Sequence, residues 1–90
     1  MSTLIKICGI TCAADGLEAA RLHVDFIGFV FYRPSKRYLE PSRAGEIVQA
    51  IRDRCGEAGP KIIGVFVDES PERIIHVRSV AQLDGVQFAG

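Results

Sequence analysis

A thiol, a cluster of cations and a carboxylate stand where short apolar runs give way to loops. Cys8 closes the run Leu4-Ile5-Lys6-Ile7-Cys8, Arg33, Lys36 and Arg37 follow the apolar residues 26–31, and Asp68 follows 62–67. Such a set can hold an anion and move a proton. A guanidinium matches a carboxylate with two parallel hydrogen bonds. A cysteine thiol ordinarily titrates near about 8.5 and approaches neutrality in a positive environment, where it can act as a general base. Lys6 and Cys8 share strand parity, so both should point to one face, with the lysine placed to supply a cation beside the thiol. Position and type alone also leave Cys8 open as an inert buried cysteine.

The other reactive side chains read as ordinary. Arg33 and Lys36 look like solvated loop cations, and Asp68 like a residue that caps or closes the loop before Pro71. Cys12 falls in the first turn of a helix, where the backbone dipole favours thiolate, but nothing else supports a Cys8–Cys12 redox pair. His23 and His76 sit near helix ends or on exposed helical faces, and Cys55 at a helix end. Three residues separate Cys8 from Cys12, and no later Cys–His cluster completes a tetrahedral set, so no metal is expected.

The elements that must carry these residues alternate regularly. Residues 4–8 are short, β-branched and stopped by Gly9, which predicts a strand. A helix follows over about 13–22, with Thr11 placed to cap it. Residues 26–31 are a nearly continuous apolar run, expected of a strand covered on both faces. Ala44, Ile47, Val48 and Ile51 recur at helical spacing within 42–54, and Gly56, Gly59 and Pro60 end that helix. Residues 62–67 predict a third strand. Ser70-Pro71 starts a third helix, reaching about Val80, and Gly85-Val86-Gln87-Phe88 a fourth strand.

Strand–helix alternation means right-handed crossovers and a parallel sheet. A doubly wound sheet normally has about five or six strands. A (β/α)8 TIM barrel takes about 250 residues, so four βα units in 90 residues read as a half barrel. One domain over 1–90 is expected, and an incomplete one. Its first and fourth strands should keep free edges, so the isolated chain should associate or aggregate. Ligands in parallel α/β sheets lie beyond the carboxyl ends of the strands, here Cys8 to Thr11, Tyr32 to Arg37, Asp68 to Ser70, and Ala89-Gly90.

Composition narrows the function classes. Apolar residues make up 48% and charged residues 24%, too apolar for disorder. Eleven basic residues balance eleven acidic ones, which argues against a nucleic-acid or membrane-surface binder. No apolar run approaches the roughly 20 residues of a membrane span. The start shows no secretory signal, and three cysteines are too few and too odd in number for a disulfide framework; a cytoplasmic protein with free thiols is expected.

Five segments together resemble one family. Lys6-Ile7-Cys8-Gly9-Ile10-Thr11, Gly28-Phe29-Val30-Phe31-Tyr32, Ser35-Lys36-Arg37-Tyr38, Gly64-Val65-Phe66-Val67-Asp68 and Leu83-Asp84-Gly85-Val86-Gln87 are similar, in order and spacing, to phosphoribosylanthranilate isomerases of tryptophan biosynthesis. The resemblance covers essentially the whole chain and implies the N-terminal half of a single-domain (β/α)8 barrel. It implies an Amadori rearrangement of N-(5-phosphoribosyl)anthranilate, a small phosphorylated substrate, to 1-(2-carboxyphenylamino)-1-deoxyribulose 5-phosphate. By the same resemblance Cys8 is the general base, Arg37 binds the anthranilate carboxylate, and Gly9 and Gln87 contact substrate. No cofactor is implied, because protons move without net redox change.

The chain departs from the family in one place and lacks two of its groups. The family's fourth-strand Gln-Leu-His-Gly reads Gln87-Phe88-Ala89-Gly90, so Ala89 replaces an imidazole. The family's general acid is an aspartate of the fifth strand and its phosphate site lies in the last two loops. With the base alone, essentially no turnover is expected from these residues by themselves. The alternative from another class is a non-catalytic half barrel that serves in assembly or binding, completed by the rest of a barrel or by self-association. A flavodoxin-like domain with Asp68 as phosphoacceptor would need a fifth strand and an acidic cluster where Cys8 and Gly9 stand.

Overall fold

Four short apolar runs become four parallel strands, and the amphipathic segments between them become helices packed on one side. The computed structural model describes residues 3–89, so Gly90 at the expected fourth rim and Met1-Ser2 of the chain start lie outside the described residues. The order is β1 (Lys6–Cys8), α1 (Ala13–Arg21), β2 (Phe26–Val30), α2 (Pro41–Cys55), β3 (Lys61–Phe66), α3 (Pro71–Ala81) and β4 (Gly85–Phe88). A 3-10 turn, Gly56–Ala58, follows α2. The sheet order is β1-β2-β3-β4 and every pair is parallel. β1 and β4 are the outer strands, each paired on one side.

One apolar cluster joins alternate strand residues to the helices. Ile27, Phe29, Ile62 and Phe66 from the sheet pack with Ala19 and Ala20 of α1, Ala44, Ile47, Val48 and Ile51 of α2, and Val77 and Ala81 of α3. Phe31 stacks on Phe66 with ring centroids 5.5 Å apart. Burying a side chain of this size contributes roughly 1.5–3 kcal/mol, so this face supplies most of the stabilisation. Among the described residues no charged or polar side chain is buried.

Two aspartates fix the strand register at the amino ends. Asp25, just before β2, accepts from Ile5 N through Oδ2 at 2.7 Å, and its own N–H donates to Ile5 O at 2.9 Å. Asp84, just before β4, does the same for Ile62, with both bonds at 2.8 Å. Arg52 of α2 donates to Asp84 Oδ2 and to Gln82 O, each at 3.2 Å, and so ties the helix layer to the start of β4.

Several boundaries move from the sequence expectation. Thr11 does not cap α1: Cys12 is the N-cap, and its side chain makes no capping bond. The reason is local, since Ile10 turns into the core and carries the chain past Thr11 before helical geometry begins. α2 starts at Pro41, whose missing N–H costs nothing in a first turn. The expected cap at Ser70 is present: Ser70 Oγ accepts from Arg73 N at 3.3 Å, ahead of Pro71. Asp68 takes no part in that cap and occupies the left-handed region at φ 48°. Among the described residues no helix is long and apolar enough to cross a membrane.

Candidate active site

Partners across a parallel pair share a face, and the register therefore assigns the uncovered side of the sheet. Lys6 lies opposite Phe26, Cys8 opposite Gly28, Gly28 opposite Ile63, and Val65 opposite Gln87. Lys6, Cys8 and Gln87 are all exposed on this side, away from the helices. The thiol expected on the inner face is thus on it, and it is open rather than buried.

Gly28 is the residue whose importance the sequence pattern understated. A Cβ at position 28 would stand 2.9 Å from Cys8 Sγ and 3.3 Å from Lys6 Cε, so the sulfur and the lysine stem occupy space that only a glycine leaves. The signal was present, because a lone glycine within an apolar strand marks a close approach. The Gly28 carbonyl also accepts from Gly9 N at 2.9 Å and Ile10 N at 3.3 Å, which turns the chain sharply after β1.

The loop after β2 delivers Arg37 to the same end of the sheet. Ser35 N donates to Tyr32 O at 3.0 Å, Tyr38 N to Ser35 O at 3.2 Å, and Ser35 Oγ accepts from Arg37 N at 3.1 Å. A single bridge between Val30 and Tyr38 returns the loop to the sheet. Arg37 then lies over Gly9, where a Cβ would be 2.5 Å from Arg37 Cδ and 2.8 Å from Nη1. Gly9 has φ 87°, a conformation that side chains disfavour, so position 9 favours glycine, and a Cβ there would also displace the Arg37 side chain. Arg37 Nη1 donates to the carbonyl of Cys8 at 3.3 Å. Base candidate and anion-binding candidate thus adjoin at one strand end.

Lys6 shares the face of the thiol as expected, and its ammonium also donates to Gln87 Oε1 on β4. Lys6, Phe26, Ile63 and Gln87 line a recess of ≈ 340 Å³ on the uncovered face. Ala89 continues from β4, and its N–H donates to Phe66 O at 3.0 Å. Of the remaining candidates, Lys36 is exposed, while Arg33 lies over the Tyr38 ring at 5.8 Å and helps shape the loop. His23 and Cys55 line a separate recess of ≈ 550 Å³ at the amino ends of β2 and β3, far from the thiol. Among the described residues no three His, Cys, Asp or Glu side chains come together as a metal site. On α1 the Arg21 guanidinium hydrogen-bonds Glu18 and holds its carboxyl below the ordinary range.

An exposed thiol, an adjoining guanidinium and an amide on one open face can bind a carboxylate-bearing ligand and take a proton from carbon. Comparison with known proteins points to one family. The family model for N-(5'-phosphoribosyl)anthranilate (PRA) isomerase matches residues 5–90. An N-(5'-phosphoribosyl)anthranilate isomerase of Rhodospirillum rubrum is 45% identical over 98% of this chain and 40% of its own length. A solved structure of mutually generated monomers of the dimeric isomerase from Thermotoga maritima superposes with a TM-score of 0.87 at 40% identity, covering 99% of this chain and 42% of that one. Another, of phosphoribosyl anthranilate isomerase with reduced 1-(o-carboxyphenylamino)-1-deoxyribulose 5-phosphate, gives a TM-score of 0.84 at 40% identity over 97% of this chain and 42% of that one. The four parallel strands and three α-helices are a half barrel of the TIM-barrel type, and the chain spans about 40% of the length of the curated relatives it matches.

Proposed function

The chain belongs to the N-(5'-phosphoribosyl)anthranilate isomerase family, and from that premise we propose that it carries the base and the carboxylate-binding part of that isomerisation site. The observation that carries the reading is the Arg37 bond to the Cys8 carbonyl, which sets a guanidinium next to an exposed thiol. The substrate is N-(5-phosphoribosyl)anthranilate, and the chain forms part of a single barrel domain of tryptophan biosynthesis in the cytoplasm.

Arg37 holds the anthranilate carboxylate and thereby orients the aromatic ring and the sugar attached to it. A general acid protonates the furanose oxygen, and the ring opens to a protonated Schiff base. Cys8 Sγ, as thiolate, removes the proton from sugar C2′. The electron pair of the broken C2′–H bond makes C1′–C2′ a double bond, and the C1′=N π pair moves onto the iminium nitrogen and neutralises it, giving an enolamine. Reprotonation at C1′ and loss of the enol proton yield the aminoketose. Gln87 and Gly9 contribute contacts along the ligand. The acid and the phosphate cradle are roles for further strands of a closed barrel, which the unpaired edges of β1 and β4 are free to join. A second copy is the other candidate for those edges. The rearrangement calls for no redox cofactor.

The test joins this chain to the remaining strands of the Rhodospirillum rubrum relative and assays consumption of the aminoaldose. The completed barrel should turn over, and the 90 residues alone should not. A folded completed barrel with no isomerase activity would contradict the reading.

A further inference from the structure

Lys6 and Gln87 belong to the two outer strands, yet their side chains meet, with Lys6 Nζ donating to Gln87 Oε1. The bridge crosses the uncovered face over β2 and β3, in the space that Gly28 leaves beside Cys8 Sγ. An ammonium has only donors, whereas a primary amide has one acceptor oxygen and one donor nitrogen. Once the oxygen is engaged by Lys6, the group that Gln87 turns toward the open face is Nε2.

On the functional reading above, we infer that Lys6 is a positioning residue that fixes the Gln87 amide, so that Gln87 meets the substrate as a hydrogen-bond donor. The ligand atom at this point is an oxygen acceptor, such as a carboxylate or sugar oxygen. Without the lysine the amide turns freely and presents oxygen as often as nitrogen, which weakens binding while leaving the thiol in place. Lys6 itself need not touch the ligand.

The experiment is a double-mutant cycle in the completed barrel, with KM and kcat measured for the parent, Lys6→Met, Gln87→Leu and the pair. Each single change should raise KM about tenfold, the weight of one oriented hydrogen bond, with a smaller effect on kcat. The double variant should be no worse than Gln87→Leu, because Lys6 acts through that side chain. Gln87→Glu keeps the acceptor for Lys6 but loses the donor, so it should match the parent in melting temperature and Gln87→Leu in KM. Multiplying effects of the two single changes, or a Lys6→Met variant with parental KM, would overturn the inference. Parental turnover tests the functional reading separately. In a folded barrel without turnover, the Gln87 Nε2 proton resonances still report the bridge: Lys6→Met should shift them, and unchanged resonances would overturn it.

Discussion

The two faces of the sheet have opposite characters. The face under the helices is closed and apolar, with Ile27, Phe29, Ile62 and Phe66 almost wholly hidden. The other face carries an exposed thiol, an ammonium and an amide, and glycine at its centre. Because strand side chains alternate, each strand serves both faces at once: Ile7 packs against the core while Cys8 beside it stays open. Stability and chemistry are thus separated by one residue in sequence and a sheet's thickness in space, so substitutions on one face should leave the other's property almost intact.

The largest effect should come from the closed face. Phe66→Ala should cost about 3–5 kcal/mol by leaving a cavity. That is a large part of the roughly 5–15 kcal/mol that holds a domain together. The melting temperature of the completed barrel checks it, and a near-parental melt would break the division between faces. Asp84→Ala should cost about 1–3 kcal/mol, since the Ile62 N–H at a fully buried residue loses its acceptor.

Changes on the open face should appear in kinetics instead. Gly9→Ala puts a Cβ where Arg37 lies and strains a positive φ, so KM should rise about tenfold or more while stability falls by only about 1–2 kcal/mol. Arg37→Lys, which keeps charge but loses the planar fork, should raise KM more than it lowers kcat. The smallest effect belongs to α1. Glu18 is held below its ordinary pKa by Arg21, so its stabilisation is present above the unfolded value and is lost as pH falls through the folded one. Glu18→Gln should remove only that acid-side dependence, and because the pair is exposed to solvent the change in melting temperature should be slight.

The alternation of elements was legible in the sequence because it depends on local pattern. Hydrophobic runs reported the strands, Ser70-Pro71 reported the start of α3, and the strand parity of Lys6 and Cys8 reported their shared face. What sequence pattern could not supply were contacts between distant segments. Thr11 had a capping side chain, but burial of Ile10 moved the helix start beyond it. The bond from Lys6 to Gln87 joins residues 81 positions apart and left no mark in the local pattern. Gly9 looked like a strand stop and Gly28 like one more position of an apolar run, and the clearances they leave for Arg37, Lys6 and Cys8 are visible only in three dimensions.

The decisive measurement is kcat of the completed barrel carrying Cys8→Ser, taken with its melting curve. Removing the proposed base should lower kcat by about 10²–10⁴-fold with an unchanged melt. Turnover near the parental value in a normally folded Cys8→Ser barrel would show that this sulfur does not take the sugar proton.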